Sequence, residues 1–161
     1  MRNTTLLLFA LLTIVLGISG GRIAAAEPPF CRDWQTIAGQ TLHVEPAITK
    51  KPTLLVFWAS WCASCNAEVP RLKKLAQRAG EGLDIISISL DTDRSKAQAF
   101  IDRHQPGYPV VLDPQMQLAD ELGTKGTPYF VLIDGSGTIT LRSPRFDQQL
   151  GQALTAAGVR L

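Results

Sequence analysis

The stretch T-L-L-V-F-W-A-S-W-C-A-S-C, residues 53–65, decides how this chain folds. Its first six residues, Thr53 to Trp58, form a nearly unbroken apolar run of strand length, the pattern of a strand covered on both faces. Beyond it Cys65, Val69, Leu72, Ala76 and Ala79 recur at steps of three and four, which makes one face of a helix closed by Gly80. A buried strand running straight into a helix puts Cys62 in the helix's first turn. Unpaired backbone N–H groups and the helix dipole there favour a thiolate, the attacking form of cysteine. Cys65 follows one turn deeper on the same side, placed to attack a mixed disulfide formed at Cys62. Two cysteines three residues apart make a poor loop staple. A zinc site would need a second ligand pair, which neither His43 nor His104 is spaced to supply. The pair therefore reads as redox chemistry, against the alternatives of an inert buried pair or half a metal site.

Working outward, the alternation of strand and helix continues in both directions. Thr41 to Val44 is a short strand after a Gly39-Gln40 turn. L-D-I-I-S-I-S-L (83–90) is a second buried strand, followed by a helix capped by Asp93 or Ser95 with Ala97, Phe100, Ile101 and His104 on its inner stripe. A short strand over 109–112 and a short helix over 116–122, ended by Gly123, come next. Strands over 129–133 and 138–141 flank Asp134-Gly135-Ser136-Gly137, a hairpin signal. Ser143-Pro144 is expected to cap a last helix whose apolar face carries Phe146, Leu150, Ala153, Leu154 and Ala157. After the short leading strand the order is β-α-β-α-β-α-β-β-α, which predicts an α/β fold: a mixed central sheet with helices on both sides.

The chain has 161 residues, enough for one domain and its core, and at 45% hydrophobic and 19% charged it has a globular composition. Arg2, an apolar run over 6–18 broken only by Thr13 and Gly17, and Ala24-Ala25-Ala26 together read as a secretory signal cleaved near Glu27. The expected organisation is a signal over 1–26 and one domain over 27–161. The alternative is that the apolar segment is retained as an anchor, the only way a membrane enters this reading. Arg2 and Arg22 aside, 14 basic side chains face 14 acidic ones, so no electrostatic footprint for nucleic acid or an anionic surface exists. Cys31 reads as a spare thiol, with pairing to a partner or to the active site as the alternative, and Arg71, Lys73, Lys74 and Arg78 read as a solvated helix face.

F-W-A-S-W-C-A-S-C (57–65) closely resembles the active-site stretch of thioredoxins. Glu68-Val69-Pro70-Arg71-Leu72 narrows the likeness to the TlpA/ResA/CcmG-like branch, exported bacterial thiol-disulfide oxidoreductases. Gly126-Thr127-Pro128, followed by Y-F-V-L-I-D-G-S-G-T-I, resembles that family's cis-proline loop and hairpin. The likeness runs from about Gly39 to the C-terminus. It implies a thioredoxin fold with an N-terminal β-extension, and a periplasmic protein that needs no cofactor or metal beyond its dithiol. It also implies electron delivery to disulfides of exported proteins, apocytochrome c among them, with a membrane thiol-disulfide protein as donor. Carried onto this chain, Cys62, Cys65 and Glu68 are the catalytic residues, and Trp61, Thr127 and Pro128 hold substrate. Pro70 inside the helix would kink its axis, as it does in the thioredoxin helix.

The chain departs from the family in two places. Ser64 stands where many relatives have Pro, and Val56 stands six residues before Cys62, where thioredoxin has a buried Asp that helps deprotonate the second cysteine. Glu68, one helical turn beyond Cys65, is the candidate replacement; partial desolvation would raise its pKa toward neutrality. The alternative is a solvated Glu paired with Arg71. With no His between the cysteines, a reducing couple is expected. Two other readings compete: a copper-handling thioredoxin-like protein, which usually carries C-x-x-x-C and a distant His, and a redox-inactive binding module.

Overall fold

The computed structural model describes residues 28–161, so the expected export signal and its cleavage point lie outside the described residues. Two short strands, β1 (Arg32–Gln35) and β2 (Thr41–Val44), pair antiparallel, and one helical turn, α1 (Pro46–Thr49), follows. β3 (Thr53–Trp58) leads into the long helix α2 (Ala63–Ala79). Then come β4 (Asp84–Ser89), α3 (Arg94–His104), β5 (Val110–Leu112), α4 (Gln117–Glu121), β6 (Tyr129–Ile133), β7 (Ile139–Ser143) and α5 (Gln148–Ala156).

The sheet order β5-β4-β3-β6-β7 explains why β3 is buried at every residue: it is the central strand. β4 pairs parallel with both β3 and β5, whereas β6 runs antiparallel to β3 and β7, giving the mixed sheet that the element order implies, in the thioredoxin arrangement that the family likeness implies. Successive side chains of β3 point to opposite faces. Leu55 and Phe57 pack with Ile86, Ile88 and Val131 beneath the β1–β2 extension and α4. Leu54 and Val56 pack with Leu72, Phe130, Leu150 and Leu154 beneath α2 and α5. Trp58 continues that second face toward α3, where it stacks on Phe100 at 4.0 Å between ring centroids. The extension is tied to the sheet through Ile37 N–H, which donates to Val110 C=O at 2.7 Å, and a bridge between Thr36 and Val111.

The structure differs from the sequence expectation at the last helix. Ser143 is the final residue of β7, and its hydroxyl accepts the Arg145 N–H at 3.2 Å. The helix is capped four residues later, at Asp147, whose carboxylate accepts the Leu150 N–H at 3.1 Å. An aspartate that reaches the third amide of a helix is a strong cap, and it outcompetes the Ser-Pro pair. β1 and α1 are additions that the sequence pattern did not mark.

Candidate active site

The chain leaves β3 at Trp58, whose C=O accepts from Leu90 N–H at 2.8 Å. It then makes a tight turn in which Cys62 N–H donates to Ala59 C=O at 3.0 Å, and enters α2. Cys62 is the cap of that helix rather than part of its first turn. Its backbone is extended and its sulfur accepts the Cys65 N–H at 3.1 Å. That contact comes from a free helix-end donor, the interaction that stabilises a thiolate at this position. Cys62 and Cys65 form a disulfide with Cα atoms 5.3 Å apart. The expected difference in depth is not seen in this form, since the two residues are 5% and 4% exposed. Beside them Trp61 is 73% exposed and projects from the same turn.

The asymmetry between the two sulfurs lies behind them. Cys65, but not Cys62, lines a cavity of about 20 Å³, large enough for one water molecule. Val56, Glu68, Ser87, Tyr108 and Pro128 line the same cavity, and Glu68 is its one carboxylate. Trp58 and Ser87 also border it, and the Trp58 indole N–H donates to the Ser87 hydroxyl. Burial pushes the Tyr108 phenol up to about 12, so it stays protonated through the neutral range. The Thr127–Pro128 peptide bond is cis, and Pro128 brings the half-buried loop before β6 against the cavity. Both sequence readings of Glu68 meet here. Its side chain, 20% exposed, faces the cavity beside Cys65 and also contacts an Arg71 guanidinium nitrogen at 3.4 Å. Arg71 in turn lies over the Phe146 ring.

Sequence reasoning missed a link between α2 and α3. The Asn66 amide donates to Cys62 C=O at 2.9 Å, and His104 Nε2 lies 2.8 Å from the Asn66 carboxamide oxygen. His104 rests on Phe100, which stacks on Trp58. Its pKa is held below the ordinary 6.5, first by burial and then by the Arg103 and Lys73 charges. Neutral imidazole is thus the folded form, and its contribution is fully present above pH 6.5 and lost as pH falls through the lowered value. His43 has the opposite sign: Asp33 and Glu45, at 2.6 and 3.0 Å, raise its pKa, so its contribution is lost as pH rises. Thermal denaturation between pH 5 and 7.5 is expected to show wild type losing stability more steeply below about pH 6.5 than His104→Gln. Parallel curves would remove His104 from the acid response.

The other candidates sit apart from this site. Cys31, half-buried, packs against the core beneath the extension. Among the described residues no cluster of three or more His, Cys, Asp or Glu side chains could hold a metal ion. No helix among them is long and apolar enough to cross a membrane.

Residues 35–151 match the Redoxin family. The chain is 32% identical over 152 residues to the thiol:disulfide interchange protein DsbE of Yersinia pestis, covering 85% of this chain and 79% of that protein. It is 30% identical over 106 residues to the thiol-disulfide oxidoreductase ResA of Halalkalibacterium halodurans, covering 65% of this chain and 60% of that one. Among solved structures it resembles a DsbE thiol:disulfide interchange protein of Chlorobium tepidum, with TM-score 0.70, 26% identity, and 78% and 91% of the two chains covered. A secreted Mycobacterium tuberculosis disulfide oxidoreductase shares the fold at TM-score 0.66 and 23% identity, over 83% of this chain and 99% of that one. A C-x-x-C disulfide capping the helix that follows a central strand, a cis-proline loop against it, and these relatives lead to one conclusion: the chain belongs to the Redoxin family, as a thioredoxin-fold thiol-disulfide oxidoreductase of the DsbE/ResA type.

Proposed function

We propose that the protein is an exported reductase that delivers electrons from its Cys62–Cys65 dithiol to disulfides of other exported proteins in the periplasm, apocytochrome c being the substrate the family likeness suggests. The observation that carries this reading is the unequal setting of the two sulfurs: Cys62 on a helix-end donor beside exposed Trp61, Cys65 on a cavity that holds a carboxylate.

The steps follow from that arrangement. The Cys62 thiolate attacks one sulfur of the substrate disulfide; that bond breaks, and one substrate cysteine leaves as a thiolate. Glu68 takes the proton from Cys65, whose thiolate then attacks the Cys62 sulfur. The second substrate thiolate leaves and the Cys62–Cys65 disulfide forms. Trp61, Thr127 and Pro128 form the docking rim, with the aromatic face of Trp61 free for apolar substrate segments and the Thr127 backbone available for pairing. A membrane thiol-disulfide protein returns the enzyme to its dithiol. The apolar segment over 6–18 supports export, with the domain released after Ala26 or held by that segment.

Direction is the testable part. Only Ala63 and Ser64 lie between the cysteines, so that turn carries no imidazolium to stabilise the thiolate, and the Ser64 hydroxyl is 3.4 Å from the Cys62 sulfur. Equilibration with glutathione is expected to give a potential well below the roughly −120 mV of a strong oxidant. A value near that figure would overturn the reductase assignment.

A further inference from the structure

Asp91 is a buried carboxylate, 3% exposed, that takes no part in the proton path above. It follows β4 and reaches across to the turn that presents Cys62. Its Oδ2 accepts from Ser60 N–H at 2.9 Å and from the Ser89 hydroxyl at 2.8 Å, and its Oδ1 accepts from the Ser60 hydroxyl at 2.7 Å. Its own N–H donates to the Ser89 hydroxyl at 3.2 Å, closing a small ring of bonds between the ends of β3 and β4.

Why a charged group should be buried here has a local answer. The 59–62 turn satisfies the Cys62 N–H internally but leaves the Ser60 N–H without a partner inside the turn. A partly buried N–H gains from a partner, and a carboxylate accepts more strongly than a carbonyl. The end of β3 does not need this help, since Leu90 N–H already holds Trp58 C=O and Ser89 is in register with Trp58. What Asp91 adds begins after Trp58, at the residues that aim Trp61 and Cys62.

We propose that Asp91 is a positioning residue of the dithiol centre: through Ser60 it locks the 59–62 turn and so fixes the line along which Cys62 meets a substrate disulfide. Thiol-disulfide exchange needs three sulfurs nearly in line, a stricter demand than alkylation by a small reagent, and orientation is where enzymes lose rate when a support is removed. The inference rests on the dithiol chemistry assigned to Cys62 and Cys65.

The test uses the reduced full chain and two probes of Cys62: attack on a model disulfide and alkylation by iodoacetamide, each followed over a pH series. Asp91→Ala is expected to slow disulfide attack about ten- to hundredfold while the alkylation profile stays near wild type. Asp91→Asn keeps an oxygen for Ser60 N–H and can donate to a rotated Ser60 hydroxyl, so it should restore attack to within about threefold. Ser60→Ala, which leaves the carboxylate in place and covers the case in which Asp91→Ala does not fold, should slow disulfide attack by about two- to fivefold. Wild-type rates in Asp91→Ala or Ser60→Ala would overturn the proposal. So would equal losses in both reactions, or an Asp91→Asn variant as impaired as Asp91→Ala, because either pattern means a charge or folding effect. A wild-type protein inert toward the disulfide would instead remove the dithiol reading beneath it.

Discussion

A Cys65→Ala variant is expected to open one disulfide of a substrate, exchanging it for a mixed disulfide at Cys62, and to remain covalently joined to it. Cys62 retains the Ala59 turn bond that presents it, and alanine at 65 keeps the backbone N–H that its sulfur accepts, so the first attack proceeds. The second attack has no nucleophile. In the native protein that step is intramolecular, between sulfurs on residues whose Cα atoms are 5.3 Å apart, and well-oriented intramolecular steps carry very large effective concentrations. External thiol at millimolar levels replaces such an advantage poorly, so continuous turnover should fall by at least about 10³-fold. Non-reducing electrophoresis should show the adduct, and dithiothreitol should release it. Cys62→Ala should give neither turnover nor adduct. Sustained insulin reduction by Cys65→Ala would sink the assignment of Cys65 as the resolving residue.

Glu68→Gln addresses the proton. Val56 occupies the cavity wall where a base could have stood, and the Tyr108 phenol, at about 12, is no acceptor near neutrality. Glu68 is left as the one carboxylate among the lining residues. Its amide should slow turnover by up to about 10²-fold, the low end for general-base catalysis because water can substitute in part. The pH profile of turnover should change shape while Cys62 alkylation does not. Arg71→Ala separates the two contacts of this side chain. If Glu68 served only its ion pair with Arg71, the two variants would behave alike; a base role predicts that Arg71→Ala leaves most of the turnover intact. Superimposable profiles for wild type and Glu68→Gln would return Glu68 to the helix surface.

The parts of the molecule legible in the sequence are those where local pattern and tertiary demand agree. Thr53 to Trp58 is apolar at all but its first residue because β3 has a neighbour on each edge and a layer on each face. The spacing of Cys65, Val69 and Leu72 was readable because all three face the core along one side of α2. β1 was not readable: Arg-Asp-Trp-Gln has no alternation, three of its four residues are exposed, and its pairing with β2 is set by the turn between them. The cap of α5 was misplaced because Ser-Pro and Asp147 both satisfy local rules, and Ser143 is taken by the sheet. The chemistry split in the same way. The Cys62–Cys65 pair follows from its spacing at a strand-to-helix junction and Glu68 is a candidate through the family likeness, whereas Asp91 looks like an ordinary acid after a strand. Only the fold brings Ser60, 31 residues earlier, within reach of its carboxylate.

The bridge from the N-terminal extension to β5 has a consequence for solubility. In a five-stranded sheet the two outermost strands each offer a row of unpaired backbone groups, and such rows recruit other chains. At β5 two of those groups are taken: Ile37 N–H holds Val110 C=O, and Thr36 is bridged to Val111. At β7 the defence is different, with alternate residues exposed and Arg142, whose side chain reaches Leu122 C=O, among them. Edge-to-edge pairing of two copies through β5 would first require the segment around Thr36 and Ile37 to peel away. The short segment around Thr36 and Ile37 therefore acts as a guard strip, shielding the β5 edge of the sheet from pairing with another chain.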